Sequence, residues 1–362
     1  MKILFINTVY QLFLAINMRM QNVVEGDVDL VVSNHTPSLK QYIRNLEASG
    51  LFHRVFYVES LGLVKNFWRV PDEDKPKAFE KLGYDFQKGE IDFTQYDTLY
   101  TANFSAYINA IYYTYPHLNI YFYEDGASVC AVDWRKSFNK YSYVRGFMDI
   151  FDHVSGVYLN SPELMCVDLG WPLIALPKID KSNSQVRQTY NSIFHYDESF
   201  HFPPFVFVEQ SFPTDNVINN DLEFMQAACD IVGYDNFLVK THPRNTVNRS
   251  FETGCSPKVD CVLPFELLLL NGHPDETVFI TVSSTSLISP WVLFGEKPKT
   301  ILLYRAVSGG INISAIDQYG VYLDKFSEKY QCRELMIPKS MNEYKKILRR
   351  LERNFRQGRR CL

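Results

Sequence analysis

The 362-residue chain has no uninterrupted apolar run approaching the ~20 residues of a membrane span, so it reads as soluble or at most surface-bound. It has no Cys-x-x-Cys pair. Its seven cysteines (130, 166, 229, 255, 261, 332 and 361) are odd in number and scattered, which argues against a zinc site and for reduced thiols in a cytoplasm. It has no excess of basic charge, and a formal net charge of −4 gives no reason to expect nucleic acid. Internal repeats and low-complexity tracts are lacking too. The opening Met1-Lys-Ile-Leu-Phe-Ile6 does not read as a signal peptide: Asn7, Tyr10, Gln11 and Asn17 interrupt it, and no small-x-small cleavage site follows. It reads as a first strand followed by a helix.

At this length and 46% hydrophobic content, two domains are expected. Short apolar runs alternate with amphipathic stretches. Lys2–Asn7, Asp29–Ser33, Arg54–Glu59, Thr98–Thr101 and Asn119–Tyr123 read as strands, and Leu12–Asn22, Pro37–Ser49 and Ser105–Tyr115 as helices. After an aromatic, less regular middle from about Asp133 to Ser199, the alternation resumes. Phe205–Glu209, Phe237–Lys240, Val278–Val282 and Thr300–Leu303 read as strands, with helices over Asp221–Ile231 and Pro264–Asn271 and from Ser286. Such alternation implies parallel sheets with crossover helices. The expected fold is α/β of GT-B type, two Rossmann-like domains facing a central cleft, divided at 1–155 and 156–362.

In open parallel sheets ligands bind beyond the carboxyl ends of the strands, so polar clusters placed there carry the functional reading. Glu124-Asp125-Gly126 follows one strand; a carboxylate there can take a proton from an attacking hydroxyl, or merely form a turn. Lys240-Thr-His242-Pro243-Arg244 follows another, where Pro243 stops the ladder. His242 can donate to a departing phosphate, and Lys240, sharing its strand face, raises the positive potential. Ser283, Ser284 and Thr285 precede the expected helix from Ser286, so their hydroxyls and N–H groups either hold a phosphate or cap that helix. Pro264-Phe265-Glu266 starts a helix; its carboxylate caps it or accepts ribose hydroxyls.

The ordered set Glu-Asp-Gly (124–126), Lys-x-His-Pro-Arg (240–244), Pro-Phe-Glu (264–266) and Ser-Ser (283–284) resembles bacterial sialyltransferases, above all the lipooligosaccharide type of glycosyltransferase family 52. Ile6-Asn-Thr-Val-Tyr-Gln-Leu12 also resembles that family's first strand and loop, with Val9 where proline is expected. The resemblance implies an inverting, metal-independent transfer from CMP-sialic acid to a terminal sugar of a surface glycan such as lipooligosaccharide or capsule. It makes the first domain acceptor-side and the second nucleotide-sugar-binding. Asp125 is implied as the base, with Glu124 beside it, His242 as acid or phosphate partner, and Glu266 as ribose ligand. Ser283 and Ser284 are implied as phosphate ligands, and Lys240, Arg244, Pro264, Phe265 and Thr285 fall in the same donor-binding motifs. The partners are then a nucleotide sugar and a glycan acceptor, with no metal or other cofactor; a homodimer is compatible with this. The alternatives are another sugar nucleotide, or a non-catalytic glycan- or membrane-binding protein of the same fold.

Two further features stay open. Asp27-Val-Asp29 and Asp72-Glu-Asp74 have a metal-binding spacing, but the first begins a strand at the edge opposite the expected cleft and the second lies in a polar loop. From Lys345 to Arg360 eight Lys or Arg face one acid, Glu352, with Ile347, Leu348, Leu351 and Phe355 at helical spacing. That helix either rests peripherally on the anionic inner face of a membrane or packs on the protein with its charges solvated.

Overall fold

The computed structural model describes residues 1–87, 89–126, 128–196, 201–212, 216–242, 245, 249, 253–254, 263–310, 316–331 and 333–359. The chain divides into two compact units, Met1–Tyr196 and Asp197–Leu362. The boundary expected after residue 155 falls inside a strand, Val154–Leu159, whose neighbours on both sides belong to the first sheet.

The first unit is built on seven parallel strands: β1 (Lys2–Ile6), β2 (Val28–Ser33), β3 (Arg54–Val58), β4 (Thr98–Thr101), β5 (Asn119–Tyr123), β6 (Val154–Leu159) and β7 (Leu173–Ala175). Their order is β3-β2-β1-β4-β5-β6-β7. All six residues of β2, Val-Asp-Leu-Val-Val-Ser, are buried, as a central parallel strand covered on both faces requires. The helices are α1 (Val9–Met20), α2 (Ile43–Ala48), α3 (Ser60–Arg69), α4 (Lys75–Gln87), α5 (Ala106–Thr114), α6 (Ser128–Ala131), α7 (Trp134–Phe138) and α8 (Ser184–Phe194). Thr8 and Ser105 sit in extended backbone and cap α1 and α5, accepting from the N–H groups of Gln11 and Ile108.

The second unit holds five parallel strands, β8 (Phe205–Val208), β9 (Phe237–Lys240), β10 (Val278–Thr281), β11 (Lys299–Leu302) and β12 (Leu335–Met336), in the order β12-β11-β10-β8-β9. Its helices are α9 (Asp221–Val232), α10 (Phe265–Asn271), α11 (Ile316–Tyr330) and α12 (Met341–Arg359). Its core gathers Phe205, Phe207, Phe224, Val239 and Ile280 with Tyr344, Leu348 and Leu351 of α12. The Tyr344 ring stands 5.3 Å from that of Phe224. The apolar stripe of the basic end is therefore packed against the sheet's helical layer, and its exposed face carries Lys346, Arg349, Arg350 and Arg353.

In each sheet the strand order reverses once, between β1 and β4 in the first and between β8 and β10 in the second. Chain leaving the carboxyl ends there diverges to opposite faces and opens a crevice. Among the described residues no helix is long and apolar enough to cross a membrane. Cys130 and Cys166 are outside any disulfide, whereas Cys229 in α9 is disulfide-bonded, so the expectation of uniformly reduced cysteines fails at that position.

Candidate functional site

In the first unit the residues after β1, β4 and β5 meet at the reversal point. The Asn7 N–H donates to Gln11 Oε1 at 2.6 Å, which leaves the Gln11 amide nitrogen facing the other way. That nitrogen donates to Asn103 Oδ1, and Asn103 Nδ2 in turn donates to Asp125 Oδ2 at 2.7 Å. The direction of every bond follows from the first, because a backbone N–H can only donate. The buried hydroxyl of Tyr107, in the first turn of α5, donates to Asn7 Oδ1 at 3.0 Å and anchors the residue that follows β1. Burial pushes the Asp125 carboxyl above its usual range, offset in part by the bonds from Asn103 and Gln11 and by the charge of His35. Gly126 follows with φ +67, a left-handed turn that a side chain would strain, as expected for a turn that presents Asp125.

Glu124 is placed differently. Its two oxygens accept from the Asn160 backbone N–H (2.8 Å) and side-chain amide (2.9 Å), and Tyr10 adds a long bond at 3.4 Å. It is fully buried, which raises its pKa, whereas Asp125 is half-buried. Glu124 thus ties β5 to the end of β6, whereas Asp125 is held from the β4 side by Asn103.

In the second unit β9 ends at Lys240, two residues before His242, so the alternation expected to put both on one strand face stops short. Lys240 is buried and its ammonium donates to the Thr241 carbonyl at 3.3 Å. His242 is half-buried, and its N–H donates to Glu209 Oε2 at 3.3 Å. Pro243 and Arg244 lie outside the described residues. Glu209, just past β8, is the centre of a buried network that sequence reasoning missed. It accepts Asn245 Nδ2 at 2.8 Å and lies 3.6 Å from Arg249 Nη2, which also grips buried Asp221 through bonds of 2.6 and 3.1 Å. Burial pushes the Glu209 carboxyl up; Asn245, the His242 N–H and Arg249 pull it back. The signal is the pair Glu209-Gln210, which follows an apolar run just as Glu124-Asp125 does, but Glu209 reads equally as the last residue of the strand.

Gln210 reaches across the reversal point to Ser283. Its carbonyl accepts the Ser283 N–H at 2.7 Å, and its amide nitrogen lies 3.0 Å from Ser283 Oγ. The helix expected from Ser286 is instead a 3-10 turn, Thr285–Leu287, followed by a π-turn at Pro290–Phe294. Pro290 cannot donate the N–H that a continuous α-helix would use. Ser284 Oγ accepts from the Ser286 N–H at 3.3 Å and so caps that turn. Thus the N–H groups expected to converge on a phosphate are partly engaged: Ser283 by Gln210, Ser284 by Thr281 Oγ1. Pro264 precedes α10, and the Phe265 ring packs edge-on to Phe279 in the core. Glu266 is buried, accepts the Ser289 hydroxyl at 2.8 Å, and is held above the usual carboxylate range by burial, against the pull of Lys240. The structure therefore places Lys240, His242, Ser283, Ser284 and Glu266 at or beyond the carboxyl ends of their sheet, and Asp125 at those of the other.

Neither Asp-x-Asp sequence gathers a ligand set, and no cluster of three metal-ligating residues occurs among the described residues. Asp29 is taken by Tyr96 (2.5 Å), Arg54 (2.8 Å) and His53 (2.9 Å), and Asp72 by Lys75 (2.9 Å).

No protein-family model and no curated protein matches the sequence. Solved structures do match in fold. A Listeria monocytogenes protein described as a putative UDP-N-acetylglucosamine 2-epimerase superposes with a TM-score of 0.52 at 9% identity. The match covers 97% of this chain and 87% of that one. LpCGTa, solved in complex with UDP, gives 0.52 at 12% identity over 97% and 90%. The fold is that of the GT-B class, two Rossmann-like α/β units. At such identities the likeness concerns the fold.

Proposed function

We propose that the protein is a glycosyltransferase that takes its sugar from a nucleotide donor, and that the donor is CMP-sialic acid. The acceptor is a terminal sugar of a bacterial surface glycan. The observation that carries the reading is the half-buried Asp125 carboxylate, held by a one-way chain of amides at the reversal point of the first sheet. A carboxylate fixed as an acceptor there can remove the proton of an acceptor hydroxyl as it attacks the anomeric carbon. Inversion at that carbon follows from a single displacement.

On this reading, in the second unit the leaving phosphate goes to His242 and the Ser283-Ser284 turn, and the ribose hydroxyls to Glu266. A nucleoside monophosphate leaves with less charge than a diphosphate, so donors of this kind suffice without a metal ion. The ordered motifs of the sequence support CMP-sialic acid in particular. A second reading, another sugar nucleotide, is favoured by the UDP bound to the fold neighbour LpCGTa. One experiment separates them: donor turnover by the purified chain with CMP-sialic acid and with UDP-sugars, with EDTA present. Loss of turnover in both Asp125→Ala and His242→Ala, with unchanged circular dichroism, supports the assignment. Turnover of UDP-sugars alone replaces the donor, and undiminished rates in both variants defeat the mechanism.

A further inference from the structure

The amino edge of the second sheet, opposite the strand ends that carry Glu209, His242 and Ser283, holds an open cavity of ≈ 550 Å³. It lies where β11 begins at Lys299 and β12 at Leu335, with α12 along one side. Three cations line it, Lys299, Arg333 and Arg350, against one acid, Glu334. Among the described residues no ion pair engages these three cations; Arg350 makes only a long contact, 3.6 Å, to the neutral sulfur of Met336. The floor is apolar, formed by buried Met336 and Leu351.

We propose that this cavity is an anion site for a phosphate group, separate from the sugar-transfer site and independent of its assignment. Three cations that line one cavity from two strand starts and a helix, with no ion pair among the described residues, repel one another, and an oxyanion placed between them relieves that repulsion. The guanidinium groups of Arg333 and Arg350 offer paired N–H donors that match phosphate oxygens. The apolar floor suits a phosphate carried on a hydrocarbon body, and the neighbouring exposed charges of α12, Arg349 and Arg353, extend the positive surface. A lipid headgroup and a free phosphate share this chemistry.

The test uses the full chain with two probes: vesicles of phosphatidylcholine with and without phosphatidylglycerol, read by cosedimentation, and inorganic phosphate, read by ³¹P line broadening. Arg333→Glu and Arg350→Glu are compared with Arg356→Glu, an equal charge reversal on α12 outside the cavity. The expected result is a loss of about tenfold in affinity for the cavity variants and little change for Arg356→Glu. Vesicle binding that needs phosphatidylglycerol identifies a lipid source; phosphate binding without vesicle binding identifies a soluble one. No binding of either probe, or equal losses in all three variants, overturns the site. Lys299→Gln, which reverses no charge, guards against a folding defect, and is expected to weaken the same probe.

Discussion

Asn103 donates its side-chain N–H to Asp125 at 2.7 Å, and the amides behind it leave Asn103 no other orientation. This bond favours the charged form of a carboxyl whose pKa burial has raised. A base must be ionised to act, so the rate falls as pH drops through that raised pKa. Removing the bond in Asn103→Ala raises the pKa further, and the acidic limb of the kcat/KM profile is expected to move to higher pH. A limb that stays in place would show that Asp125 does not titrate in the reaction.

Asp125→Asn is expected to lower kcat by about 10²- to 10⁴-fold, the range of a general base. Glu124→Gln keeps an acceptor for the Asn160 N–H, and its rate is expected within about tenfold of the parent, with the acidic limb intact. Steady-state rates of the two variants side by side assign the base; a larger loss in Glu124→Gln assigns it to Glu124.

Glu209→Ala removes the buried acceptor of the half-buried His242 and Asn245 N–H groups and one partner of Arg249. Breaking such a pair from one side costs about 3–5 kcal/mol, measurable by urea unfolding. In Glu209→Gln one acceptor survives, so the stability loss is smaller, while nucleotide affinity is expected to fall because the His242 loop is less constrained. A Gln variant equal to the parent in both respects would leave Glu209 without a positioning role.

For Asp29, burial raises the carboxyl, but bonds from Tyr96, Arg54 and His53 outweigh it, and the net pKa lies below the ordinary value. A lowered folded pKa contributes stability above the unfolded value, about pH 4, and the contribution is lost as pH falls through the folded one. Asp29→Asn is therefore expected to be less stable near neutrality and to show a flatter stability curve below about pH 4 in acid titrations followed by circular dichroism. Unchanged acid unfolding would assign the loss elsewhere.

Much of the architecture was legible because parallel strands buried on both faces leave continuous apolar runs. Thr98–Thr101, Asn119–Tyr123 and Phe237–Lys240 have the bounds read from the sequence. β6 was not legible, since Gly156 and a register shift against Ile120 and Tyr121 break its pattern. Nor was the aromatic middle, where contacts such as Phe104 on Phe151 at 4.2 Å pack rings without helical or strand periodicity. The polar strand ends were legible as positions, but their bonding was not: Gln210 to Ser283, and Asn103 to Asp125, join residues far apart in the chain. The end of the chain showed its amphipathic stripe, and only packing on Phe224 decided what that stripe touches.

β7 is three residues long, lies at the border of its sheet, and is bracketed by Pro172 and Pro177. Proline cannot donate to a ladder, so a strand from another molecule meets a template too short to nucleate on. The first sheet is sealed there against fibril-like growth by two pyrrolidine rings.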